Sequence, residues 1–337
     1  MARHGQVVGF ILILGLVVML GMTWMVYRHL HIDPLPITTT QVTVLVKPGD
    51  SVSRLADRLV VEGVIDHTQD LVWLARLRGV AEQVRAGEYE ILAGTTPAGL
   101  LEHLVSGALK QYAFTIVEGM TFWQMMDQIR EHTALEHTLL DSDGPAVMAR
   151  IGYSDQHPEG RFSPDTYYFP RGMRDVEFLQ RAYHVQARLL REEWEKRADN
   201  LPFKNQDDAL ILASIIEKET SLDEERERIA GVFVRRLRKN MRLQTDPTVI
   251  YGLGESFDGD IRFADLRTDT PYNTYTRLGL PPTPIAMPGR ASIRAALHPA
   301  DGNELYFVAT GEGGHHFSST LEEHNEAVRQ YQLKKNQ

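Results

Sequence analysis

The apolar positions of this chain change their period along its length, and each change marks an element. From Val7 to Val26 the residues run without a charge, about the twenty that a helix needs to cross a hydrocarbon core. Beyond them one unit recurs three times: a weakly alternating run, a Gly turn, and a helix with apolar residues three and four apart. Val42 to Val46 leads through Pro48-Gly-Asp-Ser51 to Val52, Leu55, Ala56 and Leu59. Glu88 to Leu92 leads through Gly94-Thr-Thr96 to Leu100, Leu101 and Leu104. Tyr112 to Val117 leads through Gly119-Met-Thr121 to Phe122, Met125, Met126 and Ile129. Ser51, Thr96 and Thr121 each stand where a helix N-cap belongs. Arg174 to Asp199 is amphipathic, with Phe178, Leu179, Tyr183, Leu189 and Leu190 inward. Ala209 to Ile216 is small or apolar throughout and predicts a helix that is core nearly all round. Ser221-Leu-Asp-Glu224 reads as a capping box that opens a further helix with Ile229, Phe233, Val234 and Leu237 on one side. Leu305 to Ala309 reads as a strand, and Gly313 to Asn325 leads into the last helix. The mixture predicts an α+β protein.

The apolar run divides the chain. Residues 1–6 are a tail, 7–27 a transmembrane helix and 28–40 a stalk. A small α+β module follows over 41–138 and a larger domain over 139–337, the one expected to carry the chemistry. Trp24, Tyr27 and Arg28 mark the far membrane interface, and no small-residue cleavage site is present, so the anchor is expected to be uncleaved. Arg3 with the amino terminus outweighs Arg28, which places the tail in the cytoplasm and everything after residue 28 outside. A net charge of −9 with no basic run argues against nucleic acid. The absence of cysteine excludes disulfides, thiolate metal sites and a Cys nucleophile. His315, His316 and His324 lack a zincin-like spacing, so no metal is expected. No phosphate loop, nucleotide fingerprint or Gly-x-Ser-x-Gly elbow is present, so no cofactor is expected.

Candidate chemistry centres on Glu217, where the apolar helix stops. On that helix Glu217 lies over Ser214, Ala213 and Leu210. A carboxyl at the edge of a core is partly desolvated, which raises its pKa and suits a general acid. The competing reading makes Glu217 the first solvated residue after a core helix, its charge answered by Lys218 or Arg228. Three polar segments follow: Leu243 to Tyr251, Thr270 to Thr276, and Gly279 to Gly289. Their Tyr, Asn, Gln and Thr suggest a groove for a neutral polar ligand, with Gln244, Asp246, Asn273 and Tyr275 as binding residues. The Pro- and aromatic-rich loop from Pro158 to Pro170 suits a sugar ring or simple packing equally well.

Two resemblances sharpen this. The stretch Val46 to Leu59 resembles the opening of a LysM domain, a βααβ module that binds N-acetylglucosamine-containing glycans. The anchor, Glu-Gly-x-x-x-Pro-Asp-Thr-Tyr (159–167), Ala-Ser-Ile-Ile-Glu-Lys-Glu-Thr (213–220), Leu-Gln-Thr-Asp-Pro-Thr-Val-Ile-Tyr-Gly (243–252), Tyr-Asn-Thr-Tyr (272–275) and Gly-Leu-Pro-Pro (279–282) occur in one fixed order. Together they resemble the endolytic murein transglycosylase, or YceG-like, family. The resemblance implies a bacterial inner-membrane enzyme, its catalytic domain in the periplasm, that cuts nascent peptidoglycan strands. It implies glycan strands and the inner membrane as partners, with peptidoglycan synthases as candidates, and it puts Glu217 in the place of the catalytic glutamate. Arg161 and Ser163 depart from the bulky apolar or aromatic residues of the family. Two rival readings remain: a non-catalytic tethered glycan-binding scaffold, and a hydrolase with Asp246 as its second carboxylate.

Overall fold

In a computed structural model of the chain, which describes residues 2–333, the first apolar stretch is a single helix, α1 (Ala2–His31). At 1.5 Å per residue it is about 45 Å long. Its portion from Gln6 to His31 is long and apolar enough to cross a membrane, and its most apolar window is not covered by protein. Its last turn differs: Leu30 packs on a hydrophobic core, and His29 Nε2 lies 2.9 Å from Asp70 Oδ2. The residues read as a stalk are also tied down. Leu35 is buried and its N–H donates to the Thr95 carbonyl at 2.8 Å.

The chain divides into two compact units, Met1–Tyr112 with Tyr168–Arg171, and Ala113–Tyr167 with Gly172–Gln337. In the first, β1 (Gln41–Val46) is followed by α2 (Val52–Val61), α3 (Thr68–Leu77), β2 (Gly87–Leu92) and α4 (Pro97–Ser106). β1 and β2 pair antiparallel with Val44 opposite Tyr89. Val44, Val46, Tyr89 and Ile91 alternate inward from that ribbon and join Leu55, Leu59, Leu71 and Leu100 in one core. α3 is absent from the sequence reading. His67 at its N-cap makes no side-chain cap bond, and exposed Trp73 and Leu77 blur the stripe formed by Leu71, Leu74 and Ala75. The predicted caps do form: Ser51, Thr96 and Thr121 accept the N–H groups of Arg54, Gly99 and Gln124.

The third strand-turn-helix copy begins at the boundary. β3 (Gln111–Ile116) leads to α5 (Phe122–Glu131), β4 (Leu135–Glu136), α6 (Gly144–Ile151), β5 (Asp165–Pro170), whose end from Tyr168 is counted with the first unit, β6 (Met173–Arg174) and α7 (Asp175–Glu195). β3 pairs with β5, not with the β1–β2 ribbon, and β4 runs parallel to β6. The rest is α8 (Gln206–Glu219), α9 (Asp223–Arg238), α10 (Asp246–Leu253), α11 (Phe263–Arg267), α12 (Arg290–Leu297), β7 (Tyr306–Ala309), β8 (His315–Ser318) and α13 (Leu321–Val328).

α8 is the axis of this unit. Every residue from Ala209 to Ile216 is buried, and α7, α9, α10 and α12 all pack on it. Each buried Leu or Ile there contributes roughly 1.5–3 kcal/mol relative to exposure. Ser214, the polar residue in the run, donates to the Ile211 carbonyl at 2.7 Å and accepts the Ile285 N–H at 3.0 Å, which fixes the 279–289 segment to the helix. The capping box expected at Ser221 does not form. α9 starts after Leu222 without a side-chain cap, and the Thr220 hydroxyl takes the Leu222 N–H instead, at 3.0 Å.

The Glu159 to Tyr167 motif is a packed tie. Glu159 is 1% exposed; it accepts the Phe122 N–H at 2.9 Å and the Tyr251 hydroxyl at 3.0 Å, joining α5 to α10. Ser163 and Tyr167 are buried, with the Tyr167 hydroxyl donating to the Ser163 carbonyl, while Arg161 pairs with Asp207 at 2.8 Å. Burial pushes the Glu159 carboxyl up to about 7, against the Tyr251 hydroxyl and the Phe122 and Gly160 N–H groups. Its folded pKa lies above the unfolded one, so stability is fully present below about pH 4.5 and is lost as pH rises through about 7. Glu159→Gln should therefore match the parent near pH 4.5 and be more stable at pH 8, by on the order of 2 kcal/mol. Thermal melts at both pH values check this, and an equal shift at both would place the effect elsewhere.

Candidate active site

Two carboxylates end α8, and they serve different surroundings. Positions two apart on a helix are separated by about 200° around its axis, so Glu217 and Glu219 leave α8 on nearly opposite sides.

Glu217 is held in an ionic cluster. Its side chain is 5% exposed, Oε2 accepts the Gly289 N–H at 2.9 Å, and Oε1 lies 3.6 Å from Arg226 Nη2. Arg226, equally enclosed, also pairs with Asp223 and donates to Ser292 Oγ at 3.2 Å. Glu118 joins them. The segment around it docks through two backbone bonds, Gly119 N–H to Met287 carbonyl and Met287 N–H to Met120 carbonyl. A Cβ at position 289 would collide with the Glu118 carboxylate and push that side chain aside, so Gly289 allows Glu118 its close approach. Burial and then the Glu217 charge push the Glu118 carboxyl up, while Arg226 opposes them. Neither cation expected to answer Glu217 does so: Lys218 donates to the Gly119 carbonyl at 3.2 Å, and Arg228 lies 3.5 Å from Glu304.

Glu219 faces the other way, into a pocket of about 460 Å³ whose wall also carries Gln244, Thr245, Asp246, Tyr275 and His315. Three of the predicted binding residues, Gln244, Asp246 and Tyr275, thus come together, but with Glu219 in place of Glu217. Threonines do the assembling. The Thr245 N–H donates to Thr274 Oγ1 at 3.1 Å, the Thr248 and Thr274 hydroxyls lie 2.9 Å apart, and the Thr245 hydroxyl donates to Glu219 Oε1. Gln244 adopts a left-handed φ of +53°, an uncommon setting for a residue with a side chain. Its N–H donates to the Thr274 carbonyl at 3.2 Å, and Arg236 Nη1 donates to its side-chain oxygen at 3.3 Å. Asp246 Oδ1 accepts the Tyr275 hydroxyl at 2.6 Å. Asn273 is not on the wall. It is buried, its amide donates to the Asp265, Leu266 and Thr268 carbonyls, and its oxygen accepts the Tyr275 N–H at 2.8 Å. It positions Tyr275.

Burial pushes the Glu219 carboxyl up to about 7; the Thr245 hydroxyl and His315 oppose this and the Asp246 charge adds to it. Its position at the carboxyl end of α8, where the helix dipole is negative, disfavours the carboxylate further. A small face remains open to the pocket. Burial, together with the carboxylate it donates to, keeps the Tyr275 phenol protonated. The pocket thus offers a carboxyl poised to hold a proton near neutrality, surrounded by hydrogen-bonding groups that include Asp246, Tyr275 and the Arg236 guanidinium.

His315, read from sequence only as a possible metal ligand, is placed by Glu225. Its Nδ1 is 2.7 Å from Glu225 Oε2, and its backbone N–H donates to Glu225 Oε1 at 2.7 Å. Burial alone would raise the Glu225 carboxyl, but the His315 ring, its N–H and the Thr220 hydroxyl together hold it below the usual range. His316 tilts over Tyr331 and His324 stacks on Tyr306.

The model of the YceG-like family matches residues 44–330. The endolytic murein transglycosylase of Bacillus subtilis (strain 168) is 34% identical over 319 residues, 88% of this chain and 87% of that one. The endolytic murein transglycosylase of Streptococcus pneumoniae serotype 2 is 24% identical over 90% of this chain, which spans 61% of that longer protein. The crystal structure of a YceG-like protein from Listeria monocytogenes superposes with a TM-score of 0.54 at 30% identity, covering 85% of this chain and 98% of that one. With the family model matching from β1 to the last helix and a relative this similar over most of both lengths, the chain belongs to the YceG-like family.

Proposed function

We propose that this protein is a membrane-anchored lytic transglycosylase that cuts the β-1,4 bond between N-acetylmuramic acid and N-acetylglucosamine inside peptidoglycan strands, with Glu219 as its general acid. The observation that carries the assignment to Glu219 over Glu217 is the raised pKa of an enclosed carboxyl on the wall of the polar pocket. Glu217, by contrast, is committed to Arg226 and the Gly289 N–H. Support for the substrate comes from the relatives' names.

In this reaction Glu219 protonates the leaving O4 while C1 takes on oxocarbenium character. The muramyl C6 hydroxyl then closes on C1, an intramolecular attack favoured because the ring already holds the two atoms together. In the one-residue account the carboxylate so formed accepts the O6 proton. Gln244, Asp246 and Tyr275 hold the sugar, and Asn273 fixes Tyr275. Because Asp246 shares the pocket with Glu219, a two-carboxylate hydrolase is the second reading.

A substrate of this kind lies outside the inner membrane, so α1 is read as an anchor with everything after it in the periplasm. Peptidoglycan synthases, which supply nascent strands, are the partners implied. We also read β1-α2-α3-β2 as a LysM-like glycan grip, supported by its element order and antiparallel pairing. Sedimentation of the inactive Glu219→Gln protein with peptidoglycan checks for such a grip.

One experiment tests the whole. Full-length protein in membrane vesicles of defined sidedness is given isolated glycan strands in ¹⁸O-labelled water, and the products are weighed. Cleavage only where the outer face is exposed, with unlabelled 1,6-anhydro-N-acetylmuramic acid ends, is expected. Labelled reducing ends would favour the hydrolase, and cleavage at the cytoplasmic face would overturn the orientation.

A further inference from the structure

We propose that α3 is a second membrane contact: its exposed Trp73 and Leu77 lie in the headgroup layer of the bilayer that α1 crosses. This rests on the reading of α1 as an anchor.

Position is the first argument. Tyr27 marks the far interface of α1, and His29 stands two residues beyond it, about 3 Å further along the axis. The polar layer on each side of a bilayer is about 5–8 Å deep, so His29 lies within it. His29 Nε2 is 2.9 Å from Asp70 Oδ2, and Asp70 is in the first turn of α3. The start of α3 is thereby held at headgroup level. No slack intervenes, because the chain leaving α1 is packed on the first unit. Leu30 and Ile37 pack on its core, Leu35 is buried, and Arg28 Nε lies 3.1 Å from Asp33 Oδ1.

The second argument is what α3 presents there. Residues three, four and seven apart on a helix share a face, so Asp70, Trp73 and Leu77 form one stripe that starts at α1. The core takes the other side through Leu71, Leu74 and Ala75. Trp73 and Leu77 are left 61% and 82% exposed. The Trp73 indole N–H has no acceptor among the described residues. In a headgroup layer the ring meets the ends of acyl chains while its N–H meets ester or phosphate oxygens. Arg76, exposed beside Trp73, can set its guanidinium on a phosphate with its stem along the apolar stripe. A sugar ring could stack on Trp73, but Leu77 offers it no hydrogen bond, and the level set by His29 puts the stripe against lipid. The consequence is orientation. One span leaves its own tilt unset, and an interfacial Trp fixed to it through the folded unit sets that tilt.

The chain has no cysteine, so single-cysteine variants of the full chain each take one nitroxide label. Trp73→Cys and Leu77→Cys are placed in nanodiscs of phosphatidylethanolamine and phosphatidylglycerol. Ser53→Cys, exposed on α2, is the control, and Leu14→Cys reports the span. Relaxation by oxygen, which concentrates in lipid, is compared with relaxation by a water-soluble nickel chelate. At positions 73 and 77 the ratio of oxygen to chelate accessibility should exceed that at 53 by at least about threefold, as for an apolar face sunk in the headgroup layer. Adding Trp73→Ser to Leu77→Cys should return that label toward the control. Labels at 73 and 77 as open to the chelate as the one at 53, with the label at 14 shielded, overturn the proposal and leave the anchor standing. A label at 14 open to the chelate defeats the anchor reading, and the proposal with it. Shielding from oxygen and chelate alike shows protein over the stripe, and shielding that appears only with added glycan strands shows a sugar platform. Either result overturns the proposal, as does a label at 77 that Trp73→Ser leaves unmoved.

Discussion

Glu219→Gln is expected to lower glycan cleavage by at least about a hundredfold while leaving the fold intact, and Glu217→Gln is expected to do the reverse. A glutamine at 219 keeps an oxygen for the Thr245 hydroxyl but has no proton to give. It also removes the ionisable group that burial holds near 7, so the variant should be at least as stable as the parent above neutrality. A glutamine at 217 still accepts the Gly289 N–H but leaves Arg226, a 6%-exposed cation, with Asp223, Ser292 and the nearby Glu118 charge. Breaking one side of an enclosed ion pair costs up to about 3–5 kcal/mol, less where other partners remain. Glu217→Gln should accordingly melt several degrees lower yet cut strands at nearly the parental rate once folded. Melting curves and cleavage rates on the two variants form a crossed test. A stable, inactive Glu217→Gln beside an active Glu219→Gln would return the acid role to Glu217.

The sequence does not separate these two residues, and the reason is physical. The sequence announces that α8 is core on all sides and that carboxylates end it, because an unbroken apolar run stopping at Glu-Lys-Glu can hardly mean anything else. It does not announce which side of the helix end opens on a pocket. That depends on where the Leu243 to Tyr251 segment docks, and the docking is done by Thr245, Thr248 and Thr274, whose hydroxyl pairing has no local signature. The polar residues were legible as a group: Gln244, Asp246 and Tyr275 do meet. Asn273 was legible as important but not as a tie, because its three carbonyl partners lie in the preceding loop. His315 offered only the metal question, since its partner Glu225 is ninety residues away. In the first unit the strand-turn-helix repeats were plain from their caps, whereas α3, without a capping side chain, was not.

Arg236→Met is expected to lose both stability and activity, because one guanidinium holds the turn that carries the pocket wall. Arg236 is 7% exposed on α9, and burial pushes its pKa down. Its Nε donates to the Leu305 carbonyl at 2.6 Å, and Nη1 donates to the Arg242 and Leu243 carbonyls at 3.1 and 2.9 Å. The same nitrogen reaches Gln244 Oε1, and the group lies 5.0 Å over the Tyr306 ring. The Arg242 and Leu243 carbonyls immediately precede Gln244, the residue at positive φ, whose strain persists only while its neighbours hold it. Methionine fills much of the volume but leaves the buried carbonyls unpaired at about 1–3 kcal/mol each, so a net loss of roughly 4 kcal/mol is reasonable. In a unit of this size that lowers the melting temperature by about 10 °C. Cleavage should fall at least about tenfold even below the melting point, since a displacement of the order of 1 Å in a positioning segment is enough. Arg236→Lys should fall between, because an ammonium carries the charge and three donors but not the planar fork that serves carbonyls on both sides. Calorimetry with cleavage assays on both variants checks the order. A methionine variant melting within about 2 °C of the parent, against the loss expected for unpaired carbonyls, would show that the Thr274 bonds hold the turn unaided.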